Sequence, residues 1–92
     1  MISKAGDCLQ VSGAMTLRDA TRLLGEGTAA LQGGETLFDL AGVESVDSSA
    51  LAVIFGWLRQ AREQGKTIRI AHPPAELLSL AEVYGVSELL PL

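Results

Sequence analysis

The side chains best placed for chemistry lie in a short polar run between an apolar, strand-like segment and an apolar, helix-like segment. The run is Asp47, Ser48 and Ser49; each is a favoured N-cap of an α-helix, and three together exceed what capping needs. Backbone N–H groups point outward at a helix N-terminus, and the helix dipole favours negative charge there. The run therefore suits either phosphate on a serine hydroxyl or the docking of a partner.

Other reactive residues do not gather around this run. No histidine, cysteine or second carboxylate stands directly beside it, and a catalytic pair with Asp39 is disfavoured because Asp39 falls inside the predicted strand. His72 has no neighbour at metal-ligand spacing, and the glycines fit none of the phosphate-loop fingerprints. We therefore predict no catalytic residue, no metal site, no cofactor and no enzymatic activity.

Composition limits the class of protein. At 92 residues the chain is expected to form one domain, residues 1–92. Apolar residues make up 48% and charged residues 20%, which predicts an exposed apolar patch and a frequent partner. The formal charge of -4, with no basic stripe, disfavours nucleic acid as that partner.

Location is predicted from cysteine usage and hydropathy. Cys8 is the single cysteine and cannot form an internal disulfide, and no secretory signal is recognisable, so a cytoplasmic protein is expected. The longest apolar stretch, residues 48–58, is about half the length that a membrane span needs. Direct membrane insertion is therefore not expected.

Strand and helix patterns alternate along the chain. Thr16, with Asp19 three residues later, is predicted to cap a first helix that runs to Gly33. Gly65 is predicted to end a second helix. Strands are predicted at 8–12, 36–40 and 67–71, and a short segment 1–4 is predicted to pair with the first. Helices are predicted before Gly33, over 48–64, and from Pro73-Pro74 to Gly85 through Leu77, Leu80, Ala81 and Tyr84. The tail 86–92 is expected to lie back on the body of the domain.

This order predicts an α/β fold. Helices between strands imply right-handed crossovers and a mainly parallel sheet, and an antiparallel first hairpin makes the sheet mixed. We expect about four strands, with the three helices chiefly on one face.

The helix predicted over 48–64 has more apolar surface than one core contact requires. At 100° per residue its side chains separate into three stripes. The predicted core stripe is Leu51, Ile54, Phe55 and Leu58; the solvated side is Arg59, Gln60 and Glu63, with Ser49, Ala52 and Gly56 nearer the N-terminus; Ala50, Val53 and Trp57 form a third, apolar edge.

Two residues of this helix allow two interpretations. Gly56 costs roughly 1 kcal/mol relative to alanine in a helix interior; it is explained either by a tight contact inside the domain or by a smooth track for a partner helix. Trp57 is either a half-buried flanking residue or a binding hot spot. The partner-binding prediction comprises Asp47, Ser48, Ser49, Ala52, Val53, Gly56 and Trp57.

Longer stretches of the chain resemble a known family. The run from Asp39 to Val43, the run Val46-Asp47-Ser48-Ser49-Ala50-Leu51, residues 61–65 and the strand 67–71 are similar to STAS domains, the family of sulfate transporters and anti-sigma factor antagonists. The ending from Gly85 to Pro91 is most similar to the branch serving phospholipid ABC transporters, which maintain outer-membrane lipid asymmetry. The resemblance implies a regulatory subunit, peripheral to the inner membrane, that binds the transporter ATPase in a complex with a permease and a lipid-binding protein.

A second branch of the same family gives the alternative function. Anti-sigma factor antagonists bind a kinase-type anti-sigma factor and are switched off by phosphate on the serine that Ser48 matches. That branch commonly has Gly-Glu-Leu-Asp after the early strand, whereas this chain has Gly13-Ala14-Met15-Thr16. Ser48 is therefore a candidate phosphosite, and its alternative role is that of a helix cap. A small-molecule sensor is a third class, and it would need a cavity.

Overall fold

A computed structural model describes residues 1–92 as a four-stranded sheet in the order β1-β2-β3-β4, packed against three helices. This confirms the predicted mixed α/β fold. None of the helices has the length and hydrophobicity required to cross a membrane. The strands are β1 (Ile2–Ala5), β2 (Cys8–Met15), β3 (Leu37–Val46) and β4 (Arg69–Ala71); the helices are α1 (Ala20–Leu31), α2 (Ser48–Glu63) and α3 (Ala75–Val83), with 3₁₀ turns at Leu17–Asp19 and Ser87–Leu89.

The helices cover one face of the sheet. β1 pairs antiparallel with β2, and the β2–β3 and β3–β4 pairs are parallel. Side chains alternate across each strand: Leu9 and Val11 of β2 are buried, whereas Gln10 and Ser12 between and after them are exposed. The second face of the sheet is therefore open to solvent.

The central strands run further than predicted. The strand predicted over 8–12 continues to Met15: Gly13 adopts φ +85° inside it, and the β2–β3 register shifts on either side of this glycine. Two such irregularities let the ten residues of β3 follow the eight of β2 as far as the pair Met15–Val46. β3 therefore continues past the predicted end at Leu40 and delivers the chain directly to Asp47.

Both edges of the sheet have backbone groups that are already hydrogen-bonded. At the β4 edge the Ile70 N–H donates to the Pro91 carbonyl oxygen (2.7 Å), and Leu90 is buried beside it. At the β1 edge the Ile2 N–H donates to Glu26 Oε1 (3.0 Å). The tail thus lies back on the body as predicted, although Leu89 and Leu92 remain 61% and 52% exposed.

Local signals located the end of α2 better than the start of α1. Gly65 adopts φ +70° immediately after α2, and the Lys66 N–H donates to the Ala61 carbonyl oxygen (2.8 Å), as in a Schellman motif. The prediction that Thr16 caps α1 is wrong: its hydroxyl donates to Asp19 Oδ2 (3.4 Å), a 3₁₀ turn follows, and α1 begins at Ala20.

The centre of the core is an aromatic pair between α2 and β3. The Trp57 indole stacks on the Phe38 ring with centroids 4.3 Å apart and an interplanar angle of 13°. Its Nε1–H donates to the Leu23 carbonyl oxygen of α1 (3.0 Å), which satisfies the polar atom of a fully buried side chain. Gly27 of α1 leaves room for the indole, since a Cβ there would lie 2.0 Å from Trp57 Nε1.

This close approach predicts that Gly27→Ala destabilises the domain. Because the indole is rigid, stacked and enclosed, it cannot move aside, and overpacking of this kind costs about 1–3 kcal/mol. Gly25→Ala is the matched control, because a Cβ at Gly25 meets nothing within 4 Å; that change should raise stability by about 0.5–1 kcal/mol. Urea unfolding of both variants measures the difference, and equal midpoints would contradict the packing described.

Candidate functional site

Asp47 joins the start of α2 to the turn before α1. Its Oδ1 accepts from the Ser49 N–H (2.8 Å) and its Oδ2 accepts from the Leu17 N–H (3.1 Å). The Leu17 N–H, followed by the Ser49 N–H, holds the pKa of the Asp47 carboxyl below its ordinary value, because both bonds favour the ionised form. One carboxylate therefore fixes the direction in which α2 leaves the sheet.

The lowered pKa of Asp47 gives a prediction for pH dependence. A depressed native-state pKa adds stability above the ordinary value of 3.8, and this stability is lost as the pH falls through the native-state value. Asp47→Asn should therefore lower the urea midpoint at pH 7 and flatten the decline in stability below about pH 4. Asp7→Asn, in the exposed β1–β2 turn, should keep the wild-type profile; an unchanged profile for Asp47→Asn would contradict this role.

The structure brings together four of the seven residues predicted to bind a partner. Asp47 is the N-cap of α2, so the role of Ser48 as the helix cap is wrong: Ser48 is the exposed first residue of the helix, and Ser49 is partly buried beside it. Ala52, one turn further along, is exposed. These four residues form a small polar and apolar surface at the start of α2, called the α2 start below.

The other three residues do not reach the surface, and their predicted exposure is wrong. Val53 is 2% exposed and Trp57 0% exposed, because α2 packs against both the sheet and α1 and so buries a wide arc of its surface. Gly56 is buried against α1, where a Cβ would lie 2.4 Å from Leu24 Cδ1. The contact within the domain therefore explains this glycine.

The predicted core stripe of α2 is displaced for the same reason. Leu51 and Ile54 are buried as expected, but Phe55 and Leu58 are only partly buried. The helix is rotated so that Trp57 points at Phe38, and this rotation turns the Phe55 side of the helix towards solvent.

Exposed apolar residues that the sequence analysis did not assign to the site lie around the α2 start. Leu17, whose backbone is bonded to Asp47, is 76% exposed, and Tyr84 at the end of α3 is 58% exposed. Tyr84 was predicted only as one of the apolar residues of the last helix, because periodicity alone does not distinguish a buried position in a helix from an exposed one. Tyr84 instead lines an open crevice of about 530 Å³ next to Ser48. The crevice is lined by Val46, Asp47, Ser48, Ala75, Glu76, Ser79, Leu80 and Tyr84.

The charge around Ser48 is negative. Asp47 and Glu76 line the same crevice, and no lysine or arginine does. A phosphate on Ser48 would add about -1.5 to -2 units of charge beside two carboxylates, with no cation there to compensate.

The other residues considered from sequence lie away from this surface. His72 follows β4 with φ +53°, and its Nδ1 lies 3.0 Å from Asp39 Oδ1. Asp39 also accepts from the Ala41 N–H (2.9 Å), and this bond, with His72 second, lowers the pKa of its carboxyl. The pair of His72 and Asp39 lies on the open face of the sheet and is an ordinary hydrogen bond at the end of β4.

The fold is that of a STAS domain, and the chain belongs to that family: the model described as "Mlab, STAS domain" matches residues 1–91. The intermembrane phospholipid transport system binding protein MlaB of Haemophilus influenzae is 33% identical over 51 residues, which are 55% of this chain and 49% of that protein. The matched region thus spans about half the length of the curated relative.

Solved structures share the fold at lower identity. A proposed anti-sigma factor antagonist from Thermotoga maritima superposes with a TM-score of 0.73 at 17% identity, covering 98% of this chain and 81% of that one. The unphosphorylated anti-sigma factor antagonist SpoIIAA superposes with a TM-score of 0.65 at 12% identity, covering 89% of this chain and 80% of that one. At these identities the likeness shows the fold alone.

Proposed function

We propose that the chain is a non-enzymatic accessory subunit of a phospholipid ABC transporter, and that its α2 start docks onto the transporter ATPase. The observation that carries the proposal is the exposure of Ser48 and Ala52 at the start of α2, together with that of Leu17 and Tyr84, two large side chains without cover. The MlaB relative supports the choice of partner, since its name places it in an intermembrane phospholipid transport system.

The proposed assembly contains an MlaF-like ATPase, an MlaE-like permease and an MlaD-like lipid-binding protein. The subunit lies at the cytoplasmic side of the inner membrane and binds the ATPase without inserting into the lipid. Binding favours the ATPase conformation that fits the α2 start, and it thereby regulates assembly or turnover. The subunit contributes contact surface and leaves the chemistry to the ATPase.

A second candidate function is that of an anti-sigma factor antagonist switched by phosphate on Ser48. The exposure of Ser48 at the first turn of α2 favours it, because a kinase must reach the hydroxyl. The negative surroundings of Ser48 and the absence of the acidic residues in Gly13-Ala14-Met15-Thr16 oppose it. The transporter role is therefore the better supported of the two.

Co-purification tests the choice between these functions. The tagged chain is expressed in its native host, membranes are solubilised, and the bound proteins are identified by mass spectrometry. An ABC ATPase with its permease is expected; a soluble kinase-like protein together with a sigma factor would overturn the proposal.

Two substitutions of Ser48 provide the matched test at the surface itself. Ser48→Glu should abolish binding of the ATPase, because a further carboxylate is placed in the contact, whereas Ser48→Ala should keep most of it. Circular dichroism should show both variants folded. Retained binding by a folded Ser48→Glu variant would remove Ser48 from the interface.

A further inference from the structure

A row of three adjoining crevices follows α2 from the α2 start. The first and second share Ser48 and Tyr84, and the second and third share Phe55. The third ends at Arg59 and Arg62, beside Leu89 of the tail. From Ser48 to Arg62 a helix rises about 21 Å, so this surface, the α2 groove, is much longer than the α2 start.

The middle of the α2 groove is apolar and incompletely covered. Phe55 and Leu58 are only partly buried, and Leu89 is 61% exposed. Residues at 55, 58, 59 and 62 follow the i, i+3, i+4, i+7 spacing of one helix face, so Arg59 and Arg62 continue the same stripe. An occupant of the groove would therefore contact apolar side chains first and then two guanidinium groups.

The two ends of the α2 groove carry opposite charge. Asp47 and Glu76 lie at the Ser48 end, and Arg59 and Arg62 at the other. Every ion pair of the domain involves Lys4, Arg22 or His72, so the guanidinium groups of Arg59 and Arg62 form none. Glu88, which precedes Leu89 in the chain, pairs with neither of them. Charges arranged in this way fix the direction and register of a bound segment.

We infer that the α2 groove binds an elongated segment of the ATPase subunit that is apolar in its middle, acidic where it meets Arg59 and Arg62, and basic where it meets Asp47 and Glu76. The inference rests on the proposed function and adds to it the chemistry of the partner segment. The polarity of the groove favours this occupant over an anionic membrane, because the net charge of -4 and the acidic end oppose an approach to lipid.

A pair of variants with equal net charge tests the inference. Arg59→Gln with Arg62→Gln removes two positive charges from the groove; Arg69→Glu makes the same change in net charge on the exposed position of β4. Binding to the purified ATPase is measured by biolayer interferometry at about 50 mM and 500 mM salt. At low salt the double variant should bind about tenfold more weakly and Arg69→Glu within about twofold of wild type, and the difference should shrink at high salt, where the Debye length is only a few Å.

The outcomes separate this inference from the proposed function. If the wild-type chain binds the ATPase and Ala52→Arg abolishes binding, while the double variant binds within twofold of wild type, the groove inference fails and the proposed function stands. If the wild-type chain does not bind the ATPase, both fail.

Cross-linking then identifies the occupant. A photoreactive amino acid is placed at Leu89, an exposed position of the tail, and the complex is irradiated and digested. Capture of an ATPase peptide with acidic residues supports the inference, and capture of a neutral or basic peptide overturns it. The inference is also overturned if the double variant and Arg69→Glu bind the ATPase equally well and the two arginines instead support binding to anionic phosphatidylglycerol vesicles.

Discussion

Ala52→Arg is expected to weaken binding of the ABC ATPase by about a hundredfold or more while leaving the isolated domain folded, because a long charged side chain would project into the proposed contact. Ala52 is exposed on the second turn of α2, so the arginine extends into solvent in the free protein and enters no core space. Isothermal titration calorimetry of the purified pair measures the loss.

The control for this prediction is the same substitution on another helix. Ala29 is an exposed alanine of α1, and Ala29→Arg should bind the ATPase with wild-type affinity. Thermal melts of both variants should fall within a few degrees of wild type. Normal binding by a folded Ala52→Arg variant would show that the α2 start is not the docking surface.

The second large effect is expected in the core. Trp57→Ala should lower the free energy of unfolding by about 3–5 kcal/mol, a large fraction of the 5–15 kcal/mol typical of a small domain. The change removes the stack on Phe38 and leaves the Leu23 carbonyl oxygen without its donor. Urea unfolding followed by far-ultraviolet circular dichroism measures this loss.

Phe55→Ala, two residues earlier in the same helix, separates stability from binding. Because Phe55 is only partly buried, its removal should cost about 1–2 kcal/mol in stability. It lines the α2 groove, so its loss should weaken binding of the ATPase although the domain stays folded. If Trp57→Ala cost no more stability than Phe55→Ala, the assignment of core and surface faces of α2 would be wrong.

The predictable part of the structure followed from short-range patterns. The three candidate caps at 47–49 and the glycine at 65 located the two ends of α2, although not which of the three is the cap, because capping depends on a few neighbouring residues. The alternation of helices and strands gave the mixed sheet in the same way. The exposed serine of the candidate site was also found, since Ser48 directly follows the cap.

The orientation of Trp57 could not be predicted, because it depends on a residue 30 positions away. The apolar arc of α2 is wider than one face, and periodicity alone does not tell which part of it meets the sheet. Gly27 of α1 decides the matter by leaving space for the indole. The continuation of β3 could not be predicted for a similar reason. Residues 41–45 have no strand-like apolar pattern, and their strand is stabilised by pairing with β2 across two bulges.

The hydrogen bonds made by Ile2 and by Ile70 at the two sheet edges restrict how this protein can be recognised. A peptide that adds itself as a fifth strand needs a row of unpaired backbone donors and acceptors, and one donor on each edge strand, the N–H of Ile2 or of Ile70, already serves Glu26 or Pro91. A strand added at either edge would first have to displace one of these bonds, whereas exposed side chains of the helical layer need no such rearrangement. Single substitutions in that layer can therefore change the choice of partner while the fold is preserved.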